Sequence, residues 1–208
     1  MSTATLPPGK GVAARRRILD AALKLFRQKG YAATRVEDVC AEAGLTKGGF
    51  FHHFAGKEDL AVAAAEHWSA VTGGLFESAP YHALPDPYDR ILGYIEFRKA
   101  ILAGGTDEFT CLAGTLAQET HLSSPAISAA AGASIFGHAA TLVADIAAAK
   151  AARCSGADWT PESLAQFTQA ALQGAFILAK AQGGPGIARD MVDHLKRYVI
   201  LLFNDKKS

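Results

Sequence analysis

The chain has 208 residues and half of them are hydrophobic, which is enough for one large domain or a small and a larger one and disfavours disorder beyond the ends. A formal net charge of +1 excludes a general polycation, but the charge is uneven. Residues 1–60 carry ten Lys or Arg and six acidic residues, a net charge of +4, whereas the remainder carries eleven and fourteen, a net charge of −3. This distribution favours an anionic polymer bound at one end of the protein.

The three cysteines, Cys40, Cys111 and Cys154, are odd in number and widely separated, which favours neither a disulfide framework nor a zinc site. No His, Cys, Asp or Glu group has zinc spacing, and we expect neither a metal nor a cofactor. The sequence has no signal-peptide pattern and no uninterrupted apolar run of about 18 residues. We therefore expect a cytoplasmic, reduced protein with no membrane partner.

Residues 1–12 are rich in Pro and Gly and are predicted to form a flexible arm. From Ala13 the apolar residues fall on one helical face, and Gly30 ends the pattern. Thr34 and Glu37 then predict a capping box, with Thr34 as the N-cap of a short helix.

A tight turn at Gly44 follows that short helix, and Thr46 is predicted to cap the next helix through about Phe54. A long helix is predicted to begin at Asp59. One long and two short helices, the last two joined by a glycine turn, predict a helix-turn-helix unit.

The rest of the chain is also predicted to be helical. Three helix starts share a capping residue followed by proline, at Asp86, Ser124 and Thr160. No alternating strand pattern is present, so the sequence predicts an all-α fold of about nine helices. The predicted domains are a helix-turn-helix head at 13–60 and a larger ligand-binding and dimerisation body at 61–208.

Gly48 and Gly49 stand inside the second short helix, where each costs about 1 kcal/mol relative to alanine. A chain tolerates this where its backbone must approach another surface closely. Together with Lys47 and the neighbouring aromatic and histidine side chains, they favour a helix laid on a phosphate backbone over a catalytic pocket.

Two amphipathic helices, predicted at 161–181 and 187–203, end the chain. Each has one apolar stripe, and the small residues of the first permit close helix approach. Periodicity alone leaves open whether the stripes form the intrachain core or half of a four-helix dimer interface.

The first 60 residues resemble the tetracycline-repressor (TetR/AcrR) family of bacterial regulators. The resemblance rests on Arg17–Ala22, Leu25–Phe26, Gly30–Tyr31, Thr34, Val39–Cys40, Ala43–Gly48, His53–Phe54 and Lys57–Leu60, in order and without a gap. The shorter stretch Cys111–Glu119 resembles a recurrent segment in one branch of that family.

The resemblance implies an all-α homodimer with a DNA-binding head and a body that binds a small-molecule effector. It implies repression at a palindromic operator, released by that molecule, and favours dimerisation through the last two helices. The expected interface residues are Leu164, Phe167, Ala171, Gly174, Leu178, Met191, Leu195, Val199 and Leu202.

Two positions depart from the family pattern, which usually has Tyr in place of Phe51 and Thr or Ser in place of Gly49. Loss of the phenolic hydroxyl at Phe51 removes one phosphate hydrogen bond, although its ring can still pack against a sugar or a thymine methyl group.

Phosphate contacts are expected from cationic and polar side chains and from backbone N–H groups at helix N-termini. Base edges would be read early in the second short helix, although Phe50 has an alternative place in the core and the lysines one as solvated charges. The expected DNA-contacting residues are Thr34, Arg35, Thr46, Lys47, Gly48, Gly49, Phe50, Phe51, His52 and Lys57.

Two interpretations of the role of Cys111 are open. If Thr110 caps a helix that begins at Cys111, the helix dipole favours the thiolate and makes Cys111 a candidate electrophile or oxidant sensor. The alternative is a small buried residue, the usual fate of a free cysteine.

The effector pocket is expected among the middle helices, lined by aromatics and a few polar groups, although most such residues are ordinarily core. The candidates are Trp68, Tyr94, Phe97, Arg98, Cys111, Glu119, His121, Phe136, His138 and Phe176. A helical enzyme using Cys111, Glu119 and His121 is a remote alternative, because ten residues of helix separate Cys111 from His121 by about 15 Å.

Overall fold

The computed structural model describes residues 9–204, and within this range all regular structure is helical. The all-α prediction is confirmed, with ten α-helices and one 3₁₀ turn in the described range instead of about nine helices. The elements are α1 (Lys10–Lys29), α2 (Val36–Ala43), α3 (Lys47–Phe51), α4 (Lys57–Glu77), the 3₁₀ turn Pro80–Ala83, α5 (Pro87–Ala100), α6 (Thr106–Phe109), α7 (Leu112–Thr120), α8 (Pro125–Arg153), α9 (Pro161–Gln182) and α10 (Gly186–Asn204).

Local signals fix the helix-turn-helix of the head. Gly30 ends α1, and its N–H donates to the carbonyl of Phe26. Gly44 adopts the left-handed conformation, φ +64°, that turns the chain from α2 to α3. The Thr46 hydroxyl accepts from the N–H of Gly49 at 3.2 Å, so the predicted cap of α3 is confirmed.

The predicted capping box at Thr34 and Glu37 is wrong by one residue. The N-cap of α2 is Arg35, whose backbone N–H donates to Asp38 Oδ2 at 2.9 Å. Thr34 is fully buried, and its hydroxyl donates backwards to the carbonyl of Gly30 at 2.6 Å. This hydroxyl satisfies the end of α1, which leaves it unavailable to α2.

Three predicted boundaries shift. Residues 1–8 of the predicted arm lie outside the described range, while residues 10–12 already belong to α1. Helix α3 ends at Phe51, three residues earlier than expected, and α4 begins at Lys57 instead of Asp59. The boundary drawn at residue 60 therefore falls inside a continuous helix.

The three predicted cap-proline starts are confirmed. The side chains of Asp86, Ser124 and Thr160 each accept a hydrogen bond from a backbone N–H in the first turn of α5, α8 and α9 respectively. In the body, α8 packs against α4, α5, α7, α9 and α10, and α10 packs against α9 and α5 as well.

The head and the body share one hydrophobic core at their junction. The buried residues of α1–α3, among them Ile18, Phe26 and Val39, pack in the same cluster as Leu112 and Leu116 of α7. The stretch Cys111–Glu119 is therefore the part of the body on which the head rests.

By length and composition alone, α8 is the one helix in the described range that could cross a membrane. Because it packs against five other helices, we interpret it as the central helix of the body.

We expect Gly30→Ala to destabilise the protein by about 1–3 kcal/mol. Gly30 has φ +90° and ψ 163°, a region that is essentially restricted to glycine, and an added Cβ would overlap the Glu119 carboxylate. Chemical denaturation checks this, with Gly137→Ala as the control. A Cβ at Gly137 meets nothing within 4 Å, so this variant should gain up to about 1 kcal/mol. Equal stability of the two variants would contradict the expectation.

Candidate nucleic-acid interface and effector cavity

Of the residues of helix α3, Phe50 is the one that is buried. Phe50 is 0% exposed and packs against Phe54, with ring centroids 5.7 Å apart. Phe51 is 56% exposed, and its ring meets the edge of Phe50 at 5.2 Å. Thr46, Lys47, Gly48 and His52 are exposed as well. The surface of this short helix is therefore free to contact another molecule.

The burial of Phe50 contradicts its assignment as a base-reading residue. A five-residue helix has little else to attach it to the head, and Phe50 is its buried anchor.

The cationic groups near α3 are held by weak surface pairs. Lys47 Nζ lies 2.5 Å from Glu37 Oε1, and this hydrogen bond raises the pKa of Lys47 and lowers that of Glu37. The Arg35 guanidinium is exposed and lies 3.9 Å from Asp38. Exposed pairs of this kind contribute little to stability, so exchanging their carboxylates for phosphates costs little.

The side chains of Lys57 and Thr34 donate hydrogen bonds to backbone carbonyls of the head itself, which contradicts their assignment as phosphate contacts. Lys57 Nζ donates to the carbonyls of Tyr31 (3.1 Å), Ala32 (3.4 Å) and Thr34 (3.1 Å). It also lies 4.3 Å from the centre of the Tyr31 ring. All three donors of the ammonium are thus used inside the head.

A cavity of about 300 Å³ lies where α1, α4, α5, α6, α8 and α9 meet. Five predicted effector-pocket residues line it: Trp68, Arg98, Cys111, His138 and Phe176. Sequence reasoning missed Arg27, Gln169 and Gln173, which also line it. Arg27 was missed because α1 was assigned wholly to the DNA-binding head.

The other five predicted residues do not line this cavity. Tyr94 is buried behind its wall, and Phe97 packs against Phe76. Phe136 is 62% exposed on the outer face of α8, and His121 caps the C-terminus of α7. Glu119 contacts the head, accepting from the N–H of Ala32 at 2.8 Å, and lines a smaller neighbouring cavity.

The Tyr94 hydroxyl is the centre of a polar network at the cavity wall. Arg98 Nε donates to it at 2.9 Å and Gln169 Nε2 donates at 3.1 Å. His138 Nε2 lies 3.0 Å away. Burial, with a smaller effect from the Arg98 charge, lowers the pKa of His138 to about 3. The imidazole is therefore neutral, and the phenol proton is directed to it.

Cys111 is the N-cap of α7 itself, which contradicts its predicted place in the first turn after Thr110. Its Sγ accepts from the N–H of Gly114 at 3.4 Å. The residue is partly exposed and lines both the main cavity and a neighbouring one of about 200 Å³ that Lys180 also lines. His121 stands at the other end of α7, so the two cannot form a catalytic pair.

No grouping of three or more His, Cys, Asp or Glu side chains that could hold a metal occurs between residues 9 and 204.

Helices α9 and α10 present an open apolar groove to the outside. Of the predicted interface residues, Phe167, Ala171, Gly174, Leu178, Met191 and Leu195 line it. Leu164 and Val199 are buried in the core of their own chain, which contradicts their assignment to the interface, whereas Leu202 is partly exposed beside that core and stays a prediction. The sequence stripes missed the exposed side chains Ile177, Tyr198 and Leu201.

Comparison with known proteins matches residues 18–64 to the family described as "Bacterial regulatory proteins, tetR family". This range contains α2, α3 and most of α1, and it ends within α4.

The curated relatives are similar over part of their length. The HTH-type transcriptional regulator LmrA of Bacillus subtilis (strain 168) is 31% identical over 111 residues, covering 53% of this chain and 58% of LmrA. The uncharacterised regulator YerO of the same organism is 40% identical over 52 residues, which cover 25% of this chain and 18% of YerO. The matched segments thus span less than two thirds of these relatives.

Solved structures resemble nearly the whole chain. Regulatory protein TetR from Rhodobacter sphaeroides superposes with a TM-score of 0.78 at 23% identity, over 89% of this chain and 98% of the other. A TetR transcriptional regulator from Chloroflexus aurantiacus J-10-FL gives 0.78 at 24% identity, over 92% and 96%. At such identities the likeness concerns the fold.

The family match covers the helix-turn-helix, and the structural matches extend the same fold over the body. The relatives named above are described as regulatory proteins or transcriptional regulators. The helix-turn-helix head thus matches the TetR family of bacterial regulatory proteins in sequence, and the chain as described has the fold of solved TetR-family regulators.

Proposed function

We propose that the protein is a ligand-responsive repressor that binds a palindromic operator as a homodimer in the cytoplasm and is released by a small molecule in the main cavity. The observation that carries the proposal is the exposed surface of α3. Phe50 is the one buried residue of this helix, whereas Lys47, Gly48 and Phe51 are exposed.

The glycines of α3 support contact with DNA. Added Cβ atoms at Gly48 and Gly49 would meet nothing closer than 3.9 Å and 3.6 Å respectively, and neither residue has a positive φ. Folding of the head therefore does not require glycine at either position. Close approach of a phosphate backbone to the N-terminus of α3 supplies the missing reason.

The groove on α9 and α10 supports dimerisation. Phe167 and Tyr198 pack against each other across it, with ring centroids 4.8 Å apart, and Ile177, Leu178 and Leu201 are exposed nearby. An apolar surface on two adjacent helices matches half of a four-helix interface. A symmetric dimer would present two copies of α3 to half-sites about one helical turn apart.

The walls of the cavity support release by a ligand. Leu23 and Arg27 belong to α1 of the head, while Trp68 and Phe76 belong to α4, which begins in the head. A ligand that binds better when these walls are displaced would favour a dimer whose α3 helices no longer fit successive major grooves.

Cys111 supports a second form of the same function, in which an electrophile or oxidant modifies the thiol. It lines both cavities, whereas Cys40 and Cys154 are buried and burial raises the pKa of each thiol.

We expect Gly48→Ala to weaken operator binding about tenfold, as for the loss of one charge-assisted hydrogen bond to phosphate. Its stability should be unchanged or raised by up to about 1 kcal/mol. Fluorescence anisotropy on a labelled duplex from upstream of the gene measures binding, and thermal unfolding measures stability. Gly137→Ala is the matched control and should bind as wild type. If Gly48→Ala binds the operator with wild-type affinity, the proposed close approach of a phosphate to the backbone of α3 is contradicted.

We expect Phe167→Glu to convert the dimer to a monomer, because it places a charge in the groove. Phe136→Glu is the matched control, since Phe136 is also exposed (62%, against 43% for Phe167) but lies on α8 outside the groove. Light scattering coupled to size-exclusion chromatography measures the mass. A monomeric wild type, or a dimer that survives Phe167→Glu, would contradict the interface.

We expect iodoacetamide to label Cys111 faster than Cys40 and Cys154, because its sulfur is the accessible one. Mass spectrometry of digested protein measures the order of labelling. If the thiol is the switch, a reactive electrophile will release wild type, but not Cys111→Ala, from the duplex. Release of both proteins alike would leave Cys111 with a structural role and direct the search to reversible ligands.

A further inference from the structure

The cavity carries a cation that no part of the described chain neutralises. We infer that its ligand is a small organic anion, a carboxylate on an apolar body, with Arg98 as the counter-ion. The inference deepens the proposed function and rests on it for the regulatory consequence of binding, while the binding itself can be tested without DNA.

Arg98 differs from the other two cations of its helix. On the same helix, Arg90 pairs with Asp145 and Lys99 with Asp193, both at 2.6 Å. Within residues 9–204 Arg98 forms no ion pair, although it is partly buried. A partly buried cation without a carboxylate retains an unmet attraction for an anion.

The guanidinium of Arg98 is held in place with its outer nitrogens free. Nε donates to the Tyr94 hydroxyl, and the group lies 4.2 Å from the centre of the Phe76 ring. Neither terminal nitrogen donates to an acceptor in the described part of the chain, and Arg98 lines the cavity. A planar fork fixed at its base is suited to bind a carboxylate through two parallel hydrogen bonds.

The other polar groups at the cavity do not cancel this charge. His138 is neutral, because its pKa is lowered to about 3. Glu108 accepts from the N–H of Gly105 through Oε2 at 2.6 Å, so its carboxylate caps α6. Arg27 donates to the carbonyls of Leu23 and Glu108 and lies over the Trp68 ring, and its charge is the one on which the carboxylates of Asp107 and Glu108 act.

The apolar residues of the cavity wall determine which chemical groups the ligand can carry besides its carboxylate. Leu23, Trp68, Phe76, Ile135 and Phe176 contribute apolar surface. A volume of about 300 Å³ is at the lower end of the range for small-molecule sites. The cavity therefore suits a carboxylate with an alkyl or aryl-alkyl chain and leaves no room for a large polyanion.

Matched probes separate charge from shape. Titration calorimetry without DNA would compare octanoate with octanamide and 4-phenylbutyrate with 4-phenylbutanamide. We expect wild type to bind the better carboxylate at least about tenfold more tightly than its amide, as for one charge-assisted interaction. Arg98→Gln should lose this preference, and Arg98→Lys should retain part of it. Arg189→Gln, which changes an exposed arginine of α10, should behave as wild type.

Thermal unfolding of each variant checks folding, and Arg98→Lys keeps the test decisive if Arg98→Gln is unstable. Equal affinity for acid and amide, a preference that survives Arg98→Gln, or binding of neither carboxylate would overturn the inference. Operator anisotropy is measured in parallel. Release by the amides alone would overturn the inference and leave the repressor function standing. If the protein binds the carboxylate through Arg98 but does not bind DNA, the inference about the ligand stands and the repressor function is contradicted.

Discussion

The turn between α1 and α2, residues 30–34, is the point on which the arrangement of the head depends. Several of its backbone groups have no helical partners and must be satisfied elsewhere. Lys57, at the start of α4, binds three of its carbonyls, and Glu119, near the end of α7, accepts the N–H of Ala32. Because α2 and α3 follow this turn directly, the hydrogen bonds from Lys57 and to Glu119 set where α3 lies relative to the body.

Helix α4 connects this turn to the cavity. It begins at Lys57, and its later turns carry Trp68 under Arg27 and Phe76 under Arg98. These two aromatic residues are eight positions apart, about 12 Å along the helix. A ligand that spans the cavity therefore contacts the rigid element whose other end holds the head. Its effect on DNA affinity is limited by the difference between its affinities for the bound and released arrangements.

Much of the fold follows from local signals, because caps, prolines and glycines act on neighbouring backbone. Thr46, Gly30 and the three cap-proline starts are of this kind. The errors arise where a side chain has a tertiary partner. Thr34 resembles an N-cap in sequence but bonds back to α1, and Lys57 resembles a surface cation but binds carbonyls 23 to 26 residues earlier. Periodicity likewise finds the apolar residues of α9 and α10, but it cannot separate the face that packs on its own chain, at Leu164 and Val199, from the exposed face.

The position of α9 decides where a ligand can act. Gln169, Gln173 and Phe176 face the cavity, while Phe167, Gly174 and Ile177 belong to the opposite, exposed side. In the proposed dimer that outer side is packed against a second copy, so α9 forms a wall that resists displacement. The four-residue helix α6 contributes Glu108 and Phe109 to the cavity wall, and Phe109 packs beside Phe176 of α9, with ring centroids 6.4 Å apart. Because Arg27 of α1 donates to the Glu108 carbonyl, the proposed function predicts that a ligand too large for the cavity displaces the short helix α6 together with α1 of the head, and not the dimer interface.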